Sequence, residues 1–334
     1  MNISGSRPLG NRSDGTTTRR YRRPNLPGAG MFQRVRIRVP ATTANLGAGF
    51  DVVGLALDCS NTVELRVDDT DRVTVDGCDA SSIPCDGSNY VVLAARRIFE
   101  HAGVDTPPLA IHIEQHVPVG SGLGSSAAAL VAGAVGANAL LDNPLDDDAV
   151  IRILAAIEGH AEQVAAGVLG GGVATIPVDD DVLLIPLPVH PSLCFALVTP
   201  DTRLSTKEAR AVLPSIVSFA DAVTQAASAF ALAPGLASAN PELLAAGTRD
   251  QIHQDPRASL LPSAPHALAA ARDAGALAAC WSGAGPTMLG ICNDDAVAEK
   301  VVAAMRDAFD ADDVASSAQV CRLDLDGATV VARD

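Results

Sequence analysis

A strand that stops in glycines and restarts as an apolar helix leaves few folds open, and residues 109–141 have that form. LAIHIEQHV (109–117) alternates apolar and polar positions, as a half-buried strand does. PVGSGLGSSAAA (118–129) follows at once, and 125–141 is rich enough in Ala, Val and Leu to predict a buried helix. Where such a loop enters a helix, unpaired backbone N–H groups converge and the helix dipole adds roughly half a positive charge. That combination suits phosphate. Gly120, Gly122 and Gly124 lack the Cβ that would block close approach, and they accept positive φ. Ser125 and Ser126 stand where a hydroxyl either caps the helix or reaches a magnesium ion. No Lys follows the last glycine, so the loop is not a Walker A motif, and its spacing is not GxGxxG. On these residues alone, a capped helix entry without a ligand stays nearly as open as a phosphate cradle.

Around this loop, strands and helices mix without strict βαβ order, which favours α+β with antiparallel pairing. Strands are predicted from Val35 (VRIRV), over 61–67, 72–77, 173–187 and 194–200, and near 319–323, with ALAACWSG and TMLGIC paired around a glycine turn. Helical spacing covers 89–103, 147–166, 207–212, 217–233, 241–254 and 295–309. Residues 1–30 are Gly, Ser, Asn, Pro and Arg rich, with no apolar periodicity and no apolar core of a secretory signal. They read as a disordered extension, and Met31 is a candidate natural start.

Composition excludes more than it assigns. The chain's 334 residues, 48% of them hydrophobic, suffice for one large or two modest cores, yet no run of about 18 apolar residues is uninterrupted. A net charge of −15, with lysine only at 207 and 300, repels nucleic acid and anionic membrane surfaces. Neither is an expected partner. The seven cysteines (59, 78, 85, 194, 280, 292 and 321) show no CxxC and no metal-ligand spacing, and read as idle or buried thiols in a reducing cytoplasm.

Two further stretches decide the reading of the loop. VPATTANLGAGFDVVGLAL (39–57) and SGAGPT (282–287), taken with PVGSGLGSSAAA, resemble the three ordered motifs of the GHMP kinase superfamily. The first matches the homoserine kinase pattern PATxANLGxGFDxxGxAL at every fixed position, and the resemblance spans about residues 33–330. It implies a two-domain α+β fold: an N-terminal ATP-binding domain (31–187), ribosomal protein S5 domain 2-like, and a ferredoxin-like C-terminal domain (188–334). It also implies ATP-dependent phosphorylation of L-homoserine to O-phospho-L-homoserine with Mg2+, on the route to threonine, and it makes a homodimer plausible.

The resemblance carries residue roles as well. Pro118, Gly120, Ser121, Gly122, Leu123, Gly124, Ser125 and Ser126 would wrap the ATP phosphates, and Asn89 in SNYVVLAA would sit on the adenine side, although a helix cap accounts for it equally. IEGHAEQVAAGVLGGG (157–172) is similar to EGHPDNVAPxLxGG, so Glu158 joins Ser126 as a metal ligand, where an isolated helix residue would be solvated surface. RLSTKEARAVLP (203–214) and DQIHQDPRASLLP (250–262) place Thr206, Arg210 and Arg257 at the acceptor, the arginines suiting a carboxylate. Asn45 and Asp51 would hold its ammonium.

One segment departs from the family pattern. His160-Ala161-Glu162-Gln163 stands where HPDN or HADN is usual, and the later proline is Ala166. Glu162 and Gln163 each add a methylene, moving their heads by about 1.5 Å beside the acceptor hydroxyl. His160 is kept, and Glu162 becomes a candidate base. The acceptor therefore stays open between homoserine and another small alcohol, such as threonine, serine or a sugar-like molecule. A silent paralogue that binds ATP or an amino acid as a sensor is the rival from another class.

Overall fold

The computed structural model describes residues 31–179 and 181–334; the reading of 1–30 as a disordered leader lies outside them. Strand β1 (Arg34–Asn45) and strand β2 (Gly49–Val67) form a long antiparallel pair. The VRIRV alternation buries Val35, Ile37 and Val39. Almost all of the first motif is strand, although the sequence predicts strand there only at its two flanks. Its turn lies at Leu46–Ala48, entered through Asn45 at φ 73°. Next come β3 (Arg72–Gly77), α1 (Tyr90–Ala102), β4 (Leu109–Gln115) and α2 (Ser125–Leu140), with β3 and β4 parallel and joined through α1. Helix α2 is buried nearly all round, as its small apolar composition predicts.

The single helix predicted over 147–166 is two: α3 (Asp147–Glu158) and α4 (Glu162–Leu169). Gly159 ends α3 in the left-handed conformation at φ 87°, a common helix stop that the apolar pattern conceals. The break matters because Glu158, His160 and Glu162 fan out around it. Strands β5 (Gly172–Val178) and β6 (Asp181–Leu187) extend the first sheet from β2.

The second half runs β7 (Cys194–Pro200), α5 (Thr206–Ala211), α6 (Phe219–Ser238), α7 (Pro241–Gly247), α8 (Gln254–Arg257), α9 (Ala264–Asp273), β8 (Ala278–Trp281), β9 (Met288–Cys292), α10 (Asp295–Ala311), β10 (Ser316–Cys321) and β11 (Thr329–Arg333). The second sheet has the order β10-β7-β9-β8, all antiparallel. A β-α-β-β-α-β plan with that order is the ferredoxin-like arrangement. Helix α9 and strand β11 have no counterpart in the sequence reading, and the helix predicted over 241–254 stops at Gly247. Strand β11 pairs with β1, so the chain returns to the first sheet at its end.

Three apolar clusters fix these layers. One lies between the first sheet and α1–α4. Another lies between the second sheet and the α9–α10 layer. The third joins Leu55 and Leu57 of the first sheet, with Leu46 of the β1–β2 turn, to Phe195, Leu197 and Leu289 of the second. This shared core holds the two sheets together, and the three motifs meet at its edge.

Candidate active site

The motifs are sewn together by short hydrogen bonds at one point. Ser282 in the β8–β9 turn donates its hydroxyl to the Gly122 carbonyl at 2.8 Å and also lies 2.8 Å from Thr43 Oγ1. The Thr42 N–H donates to Leu123 O at 3.1 Å, Gly283 N–H to Ala44 O at 3.0 Å and Thr287 N–H to Ser121 O at 3.0 Å. The glycine loop is thus clamped from both sheets.

The clamp works through carbonyls and leaves amides free. Gly120, Gly122 and Gly124 all adopt positive φ (67°, 82° and 68°). Among the described residues, the N–H groups of Gly120, Ser121, Gly122, Gly124, Ser125 and Ser126 take no partner. These donors border a cavity of about 430 Å³, which reaches to Pro84, Asn89, Tyr90 and Thr206. A volume of this size suits a nucleotide-sized ligand. Two loop residues do other work. Leu123 turns into the shared core at 1% exposure, its N–H accepted by Ser121 Oγ at 3.3 Å, while Pro118 offers a carbonyl to Ser121 Oγ at 2.7 Å. Asn89 does cap α1: its side chain accepts from Val91 N–H at 2.9 Å and donates to Pro84 O at 2.7 Å, and the same residue lines the cavity.

The fit at Gly122 is tight enough to test. A Cβ there would lie 2.4 Å from Ser282 O and 2.8 Å from Gly285 O, both backbone atoms. Gly122→Ala is therefore expected to lower stability by roughly 2–4 kcal/mol, measured by urea unfolding. A change within about 0.5 kcal/mol would contradict the clamp.

Beside the loop, Ser126 in the first turn of α2 donates its hydroxyl to Glu158 Oε1 at 2.7 Å. Past the Gly159 turn, His160 Nδ1 lies 3.1 Å from Glu162 Oε1, with the two side chains only 12% and 3% exposed. Burial disfavours the charged imidazole, but the hydrogen bond and charge of Glu162, and the charge of Glu158, outweigh it and raise the His160 pKa above 6.5. Because that pKa is raised on folding, the ion pair's contribution is complete below the unfolded value and lost as pH climbs through the folded one. The melting-temperature gap between the natural chain and His160→Gln is accordingly expected to be widest below pH 6.5 and to shrink above it. A gap that widens with pH would contradict the pairing.

The residues expected at the acceptor do converge. Asn45, Asp51, His160, Glu162, Gln163, Thr206, Arg210 and Arg257 line one narrow cleft of about 20 Å³. It shares Gln163, Thr206 and Ala284 with the larger cavity. Their states differ from the sequence expectation in three places. Asp51 and Arg210 face each other as a two-pronged ion pair at 2.7 and 2.9 Å. Asn45 is committed to the backbone: Nδ2 donates to Gly283 O at 2.7 Å and Oδ1 accepts from Asp51 N–H at 3.0 Å. Arg257 is 1% exposed and donates to Gly283 O, Ala209 O and His253 Nδ1. Burial lowers its pKa to about 10, which still leaves it charged at neutral pH.

Matches to known proteins agree with this geometry. The GHMP kinase N-terminal domain model matches residues 89–171, and the GHMP kinase C-terminal model matches 226–311. A homoserine kinase of Desulfitobacterium hafniense is 36% identical over 297 residues, which is 89% of this chain and 100% of that protein. This chain belongs to the homoserine kinase family. The homoserine kinase of Corynebacterium kroppenstedtii is 42% identical over 80% of this chain and 88% of its own length. In three dimensions, the crystal structure of homoserine kinase from Cytophaga hutchinsonii superposes with a TM-score of 0.82 at 32% identity, covering 92% of this chain and 100% of that one. The fold is thus the two-domain α+β GHMP kinase fold.

Within this homoserine kinase-type site, sequence reasoning missed the support beneath the arginines. Phe50 stacks on His253 with ring centres 5.0 Å apart, and the Arg210 and Arg257 guanidiniums lie 5.6 and 5.5 Å from its ring centre. Burial lowers the His253 pKa to about 4, so the ring is neutral. Nε2–H can then donate to Gly47 O at 3.0 Å while Nδ1 accepts from Arg257. The signals were present in Phe50 of the first motif and in the Asp250–His253 spacing, but neither reveals that an aromatic ring would sit between two cations.

Proposed function

We propose that the chain transfers the γ-phosphoryl group of ATP to the side-chain hydroxyl of L-homoserine, giving O-phospho-L-homoserine and ADP. One observation supports this most directly. A cavity lined by free loop amides shares a wall with a cleft in which a carboxylate and a guanidinium already face each other. A zwitterionic amino acid offers an ammonium to Asp51 and a carboxylate to Arg210, which a neutral sugar cannot. The 36% and 42% identities to homoserine kinases and the matching crystal structure point the same way.

Phosphoryl transfer asks mainly for alignment and charge stabilisation. Amides of Gly120 to Ser126 would hold phosphate oxygens by direct N–H donation. Ser126 and Glu158 supply two adjacent oxygens, a donor set that suits Mg2+ because this ion keeps most of its shell as water and phosphate. When bound, the ion would neutralise charge on the phosphates. Glu162 Oε2 is buried with no hydrogen-bond partner on a residue lining the cleft, so this carboxylate can accept the hydroxyl proton. His160 Nδ1 stands 3.1 Å from its other oxygen, an ion pair when the imidazole is protonated.

The wider setting belongs to the same proposal: a cytoplasmic enzyme of threonine biosynthesis, divided near 187/188 and acting on small molecules rather than nucleic acid or membrane. No described helix is long and apolar enough to cross a membrane. A homodimer is supported by α6, where Phe219 and Phe230 are 86% and 85% exposed on one side with Val223 between them. ADP release with L-homoserine, L-threonine, L-serine and galactose as acceptors tests the substrate. L-homoserine is expected to give the highest kcat/KM, and a preference for any other acceptor, or no turnover with all four, would overturn the proposal.

A further inference from the structure

Two pairs of cysteines lie on neighbouring strands, and they differ in a way that singles out one. Cys194 of β7 pairs directly with Cys292 of β9, and both are wholly buried. Burial raises both thiols, that of Cys292 to about 12, so neither ionises at neutral pH.

The other pair sits where the two sheets touch. Strand β2 bulges against β1: Pro40 pairs with Ser60 but Ala41 with Leu57, which releases Asp58 and Cys59 from that ladder. The freed stretch pairs instead with the segment after β10. Leu57 bridges Leu323, Asp58 N–H donates to Arg322 O at 3.0 Å, and Asp324 N–H donates to Ala56 O at 3.0 Å. These bonds define Leu57–Leu323 as a non-hydrogen-bonded antiparallel pair, the type in which side chains stand closest. Two residues further along each strand come Cys59 and Cys321, and Cys59 Sγ lies 3.7 Å from Nε2 of Gln319, two residues before Cys321 in β10. A disulfide spans Cα separations of roughly 4.4–6.8 Å, the range in which residues of adjoining antiparallel strands stand. The Cys321 thiol beside it lowers the Cys59 pKa below the ordinary value, and Cys59 is partly open to solvent while Cys321 is 3% exposed. A thiol of that kind is the one that attacks a disulfide.

We propose that Cys59 and Cys321 form a reversible redox-modification site, whose disulfide ties β2 of the first sheet to β10 of the second. The co-reactant is a low-molecular-weight disulfide such as oxidised glutathione. Cys59 thiolate attacks one of its sulfurs and releases the first glutathione as thiolate, leaving a mixed disulfide. The hydrogen bond to Cys59, then burial and the Cys59 charge, hold the Cys321 thiol above its ordinary value, and the Cys59 contributions end once Cys59 is in the mixed disulfide. Cys321 then loses its proton, attacks Cys59 Sγ and displaces the second glutathione. Two protein thiols are oxidised, one glutathione disulfide is reduced to two thiols, and the two protons leave with them. Because the bond closes a loop running through most of the chain, it restricts the unfolded state and raises the melting temperature.

Full-length protein treated with oxidised glutathione provides the test, read by peptide mapping, intact mass and thermal unfolding. The expected result is a 59–321 cross-link with a mass loss of about 2 Da, two fewer free thiols than the seven of the reduced chain, and a raised melting temperature that dithiothreitol reverses. Cys59→Ser, a change at the more exposed member, should abolish the cross-link and the temperature shift together. The proposal is overturned if the treated wild-type chain shows no 59–321 peptide, or if Cys194–Cys292 forms in its place.

Discussion

Glu158→Ala is expected to lower kcat by roughly 10²–10³-fold while leaving the fold and melting temperature close to those of the natural chain. The two effects separate because of where Glu158 stands. It is the last residue of α3, partly exposed, and among the described residues its carboxylate has a single protein partner, Ser126 Oγ at 2.7 Å. Removing it leaves a hydroxyl that water can satisfy, so little stability is lost. On the proposed metal role, however, the magnesium position would lose one of its two protein oxygens, and the charge developing on the transferred phosphoryl would lose its counterweight. Steady-state kinetics at saturating ATP and L-homoserine across a Mg2+ titration measure the effect. A kcat within about threefold of the natural value would remove Glu158 from the metal role.

The second large effect separates two arginines that look equivalent in sequence. Arg257→Ala is expected to destabilise the fold by roughly 3–5 kcal/mol, because it leaves one buried carbonyl and a buried imidazole nitrogen unpaired, weakens a second carbonyl's contacts and opens a cavity under Phe50. Gly283 O loses one of its two donors, Ala209 O loses the Arg257 Nε contact at 3.3 Å, and His253 Nδ1 is left unpaired. Arg210→Ala should instead unfold at nearly the natural temperature, since its side chain is 38% exposed and its ion pair lies at the cleft mouth with Asp51. Its cost falls on the acceptor: a KM for L-homoserine raised by about 10–100-fold, with a smaller change in kcat. Thermal unfolding and acceptor kinetics on the two variants, side by side, check the assignment. Equal losses of melting temperature would contradict it.

How much of this was legible from the chain depends on what each residue answers to. The glycine loop was readable because its chemistry is local: positive φ at alternate glycines and free amides at a helix start need no distant partner. Glu158 and the acceptor residues were readable only through resemblance, since the contacts that define them join positions far apart, such as Asp51 with Arg210. The break at Gly159 was hidden because the apolar period continues across it, and so the turn that presents His160 was hidden too. Strand β11 is short and mostly exposed, so it carries no burial pattern, and only its pairing with β1 makes it a strand. Arg257 is the instructive case. Its segment announced an acceptor-binding arginine, but nothing local shows that its Nε and Nη1 donors are already engaged with Ala209, Gly283 and His253.

The usual HPDN is replaced by HAEQ, and the consequence is now specific. Glu162 is long enough to reach His160 Nδ1, and Gln163 stands at the boundary between the two cavities. Both longer side chains are buried and line the narrow acceptor cleft, so they set its shape directly.

Phosphorus NMR of the reaction mixture tests the central claim most directly. With ATP, Mg2+ and L-homoserine, the natural chain is predicted to produce a phosphomonoester resonance that coincides with added O-phospho-L-homoserine and grows in step with ADP. ADP accumulating without that resonance, or a phosphomonoester forming only from a different alcohol, would contradict the account.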